Sequence, residues 1–300
     1  MAIHQPMKDL YLVDLDQSLE GFRNFISSWV LKRQGKTIVV DPGPRATIPV
    51  LAEALKKLDV KKIDYILLTH IHIDHAGGTG LLMKDYPDAQ VICHDKGIKH
   101  MIEPAKLWAG SLKVLGKVAE AYGEIAAIPK ENIQYQQSVQ AGPLEFEVLE
   151  TPGHAVHHIS FKLDDLLFAG EVAGVSYPFD DGLYIRLATP PVFIYEVFKS
   201  SIEKVAALNV SHFCFGHYGY RRDVKAICDT ALNQLDNWMA VVEKHHRAGT
   251  EPFAEAVFDE VLKNDRGLSL FSKLPADVQQ REKYFCFNSF KGMREYFKEK

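Results

Sequence analysis

The ten residues Thr69-His70-Ile71-His72-Ile73-Asp74-His75-Ala76-Gly77-Gly78 restrict this chain more than any other stretch. They follow an apolar run at 63–68 that reads as a buried strand. Side chains alternate along an extended chain, so His70 and His72 project to one side where that strand ends and present two imidazoles to one ion. A bend after them would turn Asp74 and His75 elsewhere, within reach of a second ion nearby. Gly77 and Gly78 let the backbone turn tightly into a following helix. Such a segment needs a sheet beneath it, and the neighbouring sequence supplies one.

Strands are expected at 25–31 and 37–40, joined by the turn Arg33-Gln34-Gly35-Lys36, with the second running into Asp41. Ile48, Leu51, Leu55 and Leu58 recur at helical spacing, and a helix at 81–86 and a strand at 90–93 continue the βαβ rhythm of an α/β protein. Residues 105–127 read as helical, a core helix before a lid. Strands return at 144–149, 158–163, 166–169 and 212–215, with a helix at 195–208. Three of these strands end in another metal-type residue: His154 in Thr151-Pro152-Gly153-His154, Glu171 in Phe168-Ala169-Gly170-Glu171, and His217 in Phe215-Gly216-His217. Ligands on loops fixed by a rigid sheet are the expected way to build a preorganised site.

Past this region the chain turns helical, with an apolar stripe from Val224 through Ile227, Ala231, Leu235 and Trp238 to Val242, then helices at 252–262 and 275–297. Residues 1–220 are therefore expected to form the catalytic domain and 221–300 a helical extension packed on it. A homodimer through the long helix is the other use of that stripe.

Composition removes several classes. The formal net charge of −4 lacks the basic bias of a dedicated nucleic-acid binder, so none is expected as a partner. No basic head precedes an apolar run, and no stretch approaches the roughly 20 apolar residues of a membrane span, so a cytoplasmic protein with no membrane partner is expected. Cys93, Cys214, Cys228 and Cys286 lack a CxxC spacing and read as buried thiols.

With these segments in this order, the sequence resembles the metallo-β-lactamase superfamily, whose HxHxDH segment His70, His72, Asp74 and His75 match in full. Asp41 matches the preceding strand-end Asp, and His154, Glu171 and His217 the later positions. The resemblance implies a four-layer αβ/βα sandwich, two sheets face to face between helices, here with the α-helical C-terminal extension. It also implies two divalent ions, one held by His70, His72 and His154, the other by Asp74, His75 and His217, with an acidic residue bridging. The family usually carries Asp there, and Glu171 places its carboxylate one methylene further out. Zinc is the first expectation, with iron or manganese also suited to nitrogen and oxygen donors.

On this reading the chain is a metal-dependent hydrolase in which a metal-bound hydroxide attacks a small ester, thioester or lactone. Asp74, Glu171, Asp41 and Tyr218 are the catalytic candidates, Asp41 through a hydrogen bond to a ligand imidazole and Tyr218 by polarising a substrate oxygen. Arg186 is expected either to neutralise an anionic substrate or to form a surface salt bridge, and Arg221-Arg222 to open the long helix. His157 and His158 are expected to be structural, and His245 and His246 to cap that helix. The alternatives are a phosphodiesterase, which the acidic balance disfavours, an iron-dependent redox enzyme, which the intact His72 disfavours, and a metal-binding scaffold.

Overall fold

A computed structural model describes residues 2–298. Its first sheet has seven strands in sequence order: β1 (Ile3–Met7), β2 (Leu10–Asp14), β3 (Ser27–Arg33), β4 (Lys36–Val40), β5 (Tyr65–Leu67), β6 (Gln90–Ile92) and β7 (Ile133–Gln134). β1 to β4 pair antiparallel and β4 to β7 parallel. The parallel part is wound by α1 (Ile48–Lys57), α2 (Ile73–Ala76), α3 (Thr79–Leu82), α4 (Asp95–Ile102), α5 (Ala105–Leu115) and α6 (Lys117–Tyr122).

The second sheet contains β8 (Ser138–Ala141), β9 (Leu144–Glu150), β10 (Ile159–Leu163) and β11 (Leu166–Gly170). A short pair, β12 (Val175–Ser176) and β13 (Ile185–Arg186), lies outside it. After α7 (Tyr195–Ala206), the strands β14 (His212–Phe215) and β15 (Tyr220–Arg221) complete the order β15-β14-β11-β10-β9-β8. The chain continues in α8 (Val224–Ala248), α9 (Phe253–Asn264) and α10 (Ala276–Lys298).

Alternation along the strands builds the layers. In β3 and β4, Trp29, Leu31, Ile38 and Val40 face the second sheet and pack with Phe146, Phe161 and Phe168, while Val30 and Val39 face the opposite way, onto α1. In β11, Leu166 and Phe168 join that inter-sheet core, and Leu167 and Ala169 meet α7 to α10. The result is the expected αβ/βα order. The Trp29 indole donates across the sheets to the Phe215 carbonyl at 2.9 Å.

The tail shares one apolar core with the second sheet through Ile227, Trp238, Val257 and Phe290. It also reaches the loop between β2 and β3, where Arg281 Nη1 donates to the carbonyls of Gly21 (2.6 Å) and Arg23 (3.3 Å) and Arg23 pairs with Asp277. No helix of the described residues is long and apolar enough to cross a membrane. All four cysteines are free and buried.

Some elements differ from the sequence expectation. The helix expected at 105–127 breaks at Gly116, whose φ of +53° interrupts the ladder, and ends at Gly123 with φ +83°. The helix expected at 81–86 is instead the four-residue α3. The hairpin β1–β2 and the strands β8 and β15 are additions. Arg221 lies in β15, and the long helix begins beyond it with Asp223 as N-cap, its carboxylate accepting from the Ala226 amide at 2.9 Å.

Candidate metal centre

The centre lies where strand ends of both sheets meet. Asp41 leaves β4 in the left-handed region (φ +50°), a conformation that Asp tolerates, and its carboxylate turns toward the loop after β5. Its Oδ1 accepts from the Thr69 amide (2.8 Å) and its Oδ2 from the Thr69 hydroxyl (2.7 Å). That hydroxyl, its proton spent on Asp41, accepts from His70 Nδ1 at 3.1 Å. Asp41 Oδ2 also lies 3.1 Å from His75 Nδ1. His72 stays extended as the residue before α2, so Asp74 and His75 turn away on that helix, which is the bend expected after His72.

From the second sheet, His154 donates through Nδ1 to the Ala188 carbonyl at 2.7 Å, and His217 through Nδ1 to the Phe25 carbonyl at 3.1 Å. His70, His75, His154 and His217 thus each have Nδ1 tied to an acceptor, which fixes the tautomer and leaves the Nε2 lone pair free. These lone pairs converge on Glu171. Its Oε2 lies 2.9 Å from His154 Nε2, 3.3 Å from His70 Nε2 and 3.3 Å from His75 Nε2, and its Oε1 lies 3.3 Å from His217 Nε2. Asp74 Oδ2 stands 3.6 Å from His217 Nε2 and 3.9 Å from His75 Nε2. His72 Nδ1 faces His154 Nε2 at 2.9 Å.

Two groups of donor atoms are therefore in place: His70, His72, His154 and Glu171, and beside them Asp74, His75 and His217. The donor set fits divalent cations. Nε2 of His70 and of His75 is buried without a hydrogen bond, an expense that a cation at those lone pairs removes. Burial alone would raise the Glu171 carboxyl, but facing His154 and His217 it is held well below the ordinary carboxylate range. Burial, then His75 and His72, pushes His70 well below the usual imidazole value, keeping its nitrogen available to a metal.

The family model of the metallo-beta-lactamase superfamily matches residues 21–217. The chain belongs to the metallo-beta-lactamase superfamily. Among curated members it is 29% identical over 205 residues to the metallo-beta-lactamase fold-containing protein ST1585 of Sulfurisphaera tokodaii, covering 66% of this chain and 74% of that one. It is 32% identical over 162 residues to a hydroxyacylglutathione hydrolase of Legionella pneumophila, covering 52% of each, so the match spans about half of that relative. The crystal structure of ST1585 superposes with a TM-score of 0.64 at 25% identity, over 88% of this chain and 99% of that one. A Thermus thermophilus metallo-beta-lactamase family protein gives 0.64 at 20% identity, over 98% and 95%. The superfamily comprises metallo-hydrolases that bind divalent metals, and this chain is an enzyme of that class.

All seven ligand candidates named from the sequence lie in the two donor groups, with Asp41 behind them. Tyr218 does not. Its hydroxyl donates to Asp14 Oδ1 at 2.7 Å and lies 3.3 Å from His4 Nε2, in the inter-sheet core and away from the cavity that opens on the ligands. Tyr218→Phe is accordingly expected to leave kcat/KM unchanged while lowering stability by about 1 kcal/mol, read from steady-state kinetics and a thermal melt. Arg186 is not on the surface either: it is 2% exposed and paired with Glu282. His158 is structural, and its role is specific. Its Nε2 accepts from the Glu171 amide at 2.9 Å while Nδ1 meets Thr151 Oγ1 at 2.9 Å, so it seats the carboxylate that faces imidazoles of both donor groups. Burial, then the neighbouring His154, pushes its imidazole down to about 3, keeping Nε2 an acceptor. His245 lies in the last turn of α8 and faces Glu260 at 3.0 Å.

The donor groups open into a cavity of about 700 Å³ walled by α5, α10 and residues 188–191. Phe25 lines it, with its ring centroid 4.2 Å from that of His217. Phe25, Thr69, His158 and the Ala188 carbonyl carry no motif signal, because each acts through a backbone group or through a partner distant in sequence.

Proposed function

We propose that this chain hydrolyses a small ester, thioester or lactone at a centre of two divalent ions, zinc first, with a thioester as the leading substrate. The observation that carries the reading is the Glu171 carboxylate, whose Oε2 is within 3.3 Å of His70 and His154 in one donor group and of His75 in the other. The added methylene relative to Asp is compatible with contact to both. His70, His72 and His154 would hold the first ion and Asp74, His75 and His217 the second. Such ions lower the pKa of a shared water and polarise the electrophile.

The chain's own residues orient this chemistry. Asp41, the Ala188 carbonyl and the Phe25 carbonyl lock three imidazole rings, so the donor geometry needs little reorganisation. Asp74 lines the cavity and offers a carboxylate oxygen to a proton released there. The similarity to hydroxyacylglutathione hydrolases, which cleave a thioester, favours that substrate class.

The test is elemental analysis of protein purified without added metal, paired with a panel of thioesters, esters, lactones and phosphodiesters. Two ions per chain with turnover of a carboxylic substrate is the expected result. One ion per chain would overturn the two-ion centre, and turnover of phosphodiesters alone would overturn the substrate class.

A further inference from the structure

We infer that the cleft between α5 and α10 seats an extended apolar acyl arm of the substrate, and that Gly110 sets how long that arm can be. The inference rests on the hydrolase reading above and narrows it to acyl substrates of medium chain length.

α5 turns one face to the cavity: Leu107, Gly110, Ser111, Val114 and Leu115 line it at i, i+3, i+4, i+7 and i+8. From Leu107 to Leu115 this face runs about 12 Å. The opposing wall comes from α10, with Phe285 and Gly292 two turns apart on the lining side. α5 contributes no fully buried residue: Leu107 and Leu115 are shared between the cleft and the first-sheet core, and Val114 is 61% exposed. The same cleft is continuous with His72, Asp74, His154, Glu171 and His217, so an arm lying in it extends directly from the reacting carbonyl.

The glycines of the two walls differ in kind. A Cβ on Gly292 would meet the Pro190 carbonyl oxygen at 2.5 Å, so close packing requires that glycine. A Cβ on Gly110 would meet nothing within 4 Å. Gly110 sits in a helix interior, where glycine weakens the helix, and neither backbone conformation nor a neighbouring atom demands it. Gly110 is exposed on the lining face of α5, so a side chain placed there would project into the open cleft.

The test uses the metal-loaded full chain and thioesters of N-acetylcysteamine carrying acetyl, butanoyl, octanoyl or dodecanoyl groups. For the wild type, kcat/KM is expected to rise about a hundredfold from acetyl to octanoyl as methylenes leave water. Gly110→Phe, with metal content retained and a melting temperature no lower, is expected to reduce the octanoyl-to-acetyl ratio by about tenfold or more. Equal kcat/KM for all chain lengths, or an unchanged ratio in folded Gly110→Phe, would overturn the inference. Calorimetric titration with octanoate separates it from the hydrolase reading. If no thioester turns over, octanoate binding to the wild type that is lost in Gly110→Phe still supports the acyl cleft, and no binding by the wild type overturns it.

Discussion

Glu171→Ala is expected to lower turnover by about a thousandfold or more and to strip metal from the protein. Glu171 is 2% exposed, and its two oxygens lie within 3.3 Å of four imidazole nitrogens drawn from both sheets. Removing the carboxylate takes away a donor and a negative charge that faces imidazoles of both groups, leaving buried imidazole lone pairs facing one another. Glu171→Gln keeps the shape and loses the charge, so it is expected to behave much like the alanine variant. Glu171→Asp draws the carboxylate back by one methylene and is expected to keep part of both metal and activity. Steady-state kinetics with elemental analysis on the three variants checks the ordering. Full activity with full metal content in Glu171→Ala would sink the proposed centre.

The largest expected effect on stability is at Glu282 in α10. It is fully buried and accepts from Arg186 Nε (2.7 Å), Arg281 Nε (3.0 Å) and the Tyr184 hydroxyl (3.0 Å). Glu282→Ala would strand two guanidinium groups in the core, at a cost of about 3–5 kcal/mol. For a chain of this size that lowers Tm by about 10 °C. Burial would raise the Glu282 carboxyl, but Arg186 and Arg281 outweigh it and hold the pKa at about 2. An unfolded glutamate titrates near 4.3, so the unfolded chain takes up this proton first as pH falls. The contribution of Glu282 to stability is therefore complete above about pH 5 and is lost as pH falls toward 2. Thermal melts across that range should show wild type and Glu282→Gln converging at the acid end. Parallel curves would refute the assignment.

How far the sequence could be read followed the range of each interaction. His70, His72, Asp74 and His75 were legible because one strand and one bend place them, and His154, Glu171 and His217 because each directly follows an apolar strand. The antiparallel strand β9 was legible from its alternation of buried Leu144, Phe146 and Val148 with exposed Glu145 and Glu147. Of the two expectations for Arg186, the salt bridge formed but in the core and not at the surface, because its partner, Glu282, lies 96 positions away. Tyr218 directly follows a ligand, but the chain bends between β14 and β15, and there Tyr218 faces Asp14 while His217 faces Glu171. The break at Gly116 was missed because the apolar spacing continues through it, although the backbone does not.

The two walls of the cavity are unequal as material for new specificity. The 188–191 stretch carries the carbonyl that orients His154, packs against Gly292 and follows the Arg186–Glu282 pair. A change there disturbs donor geometry and core together. α5 holds no ligand and no fully buried side chain. Substitutions along it can reshape what the enzyme accepts without touching how it reacts, so α5 is the wall along which divergence between relatives can accumulate at the lowest structural risk.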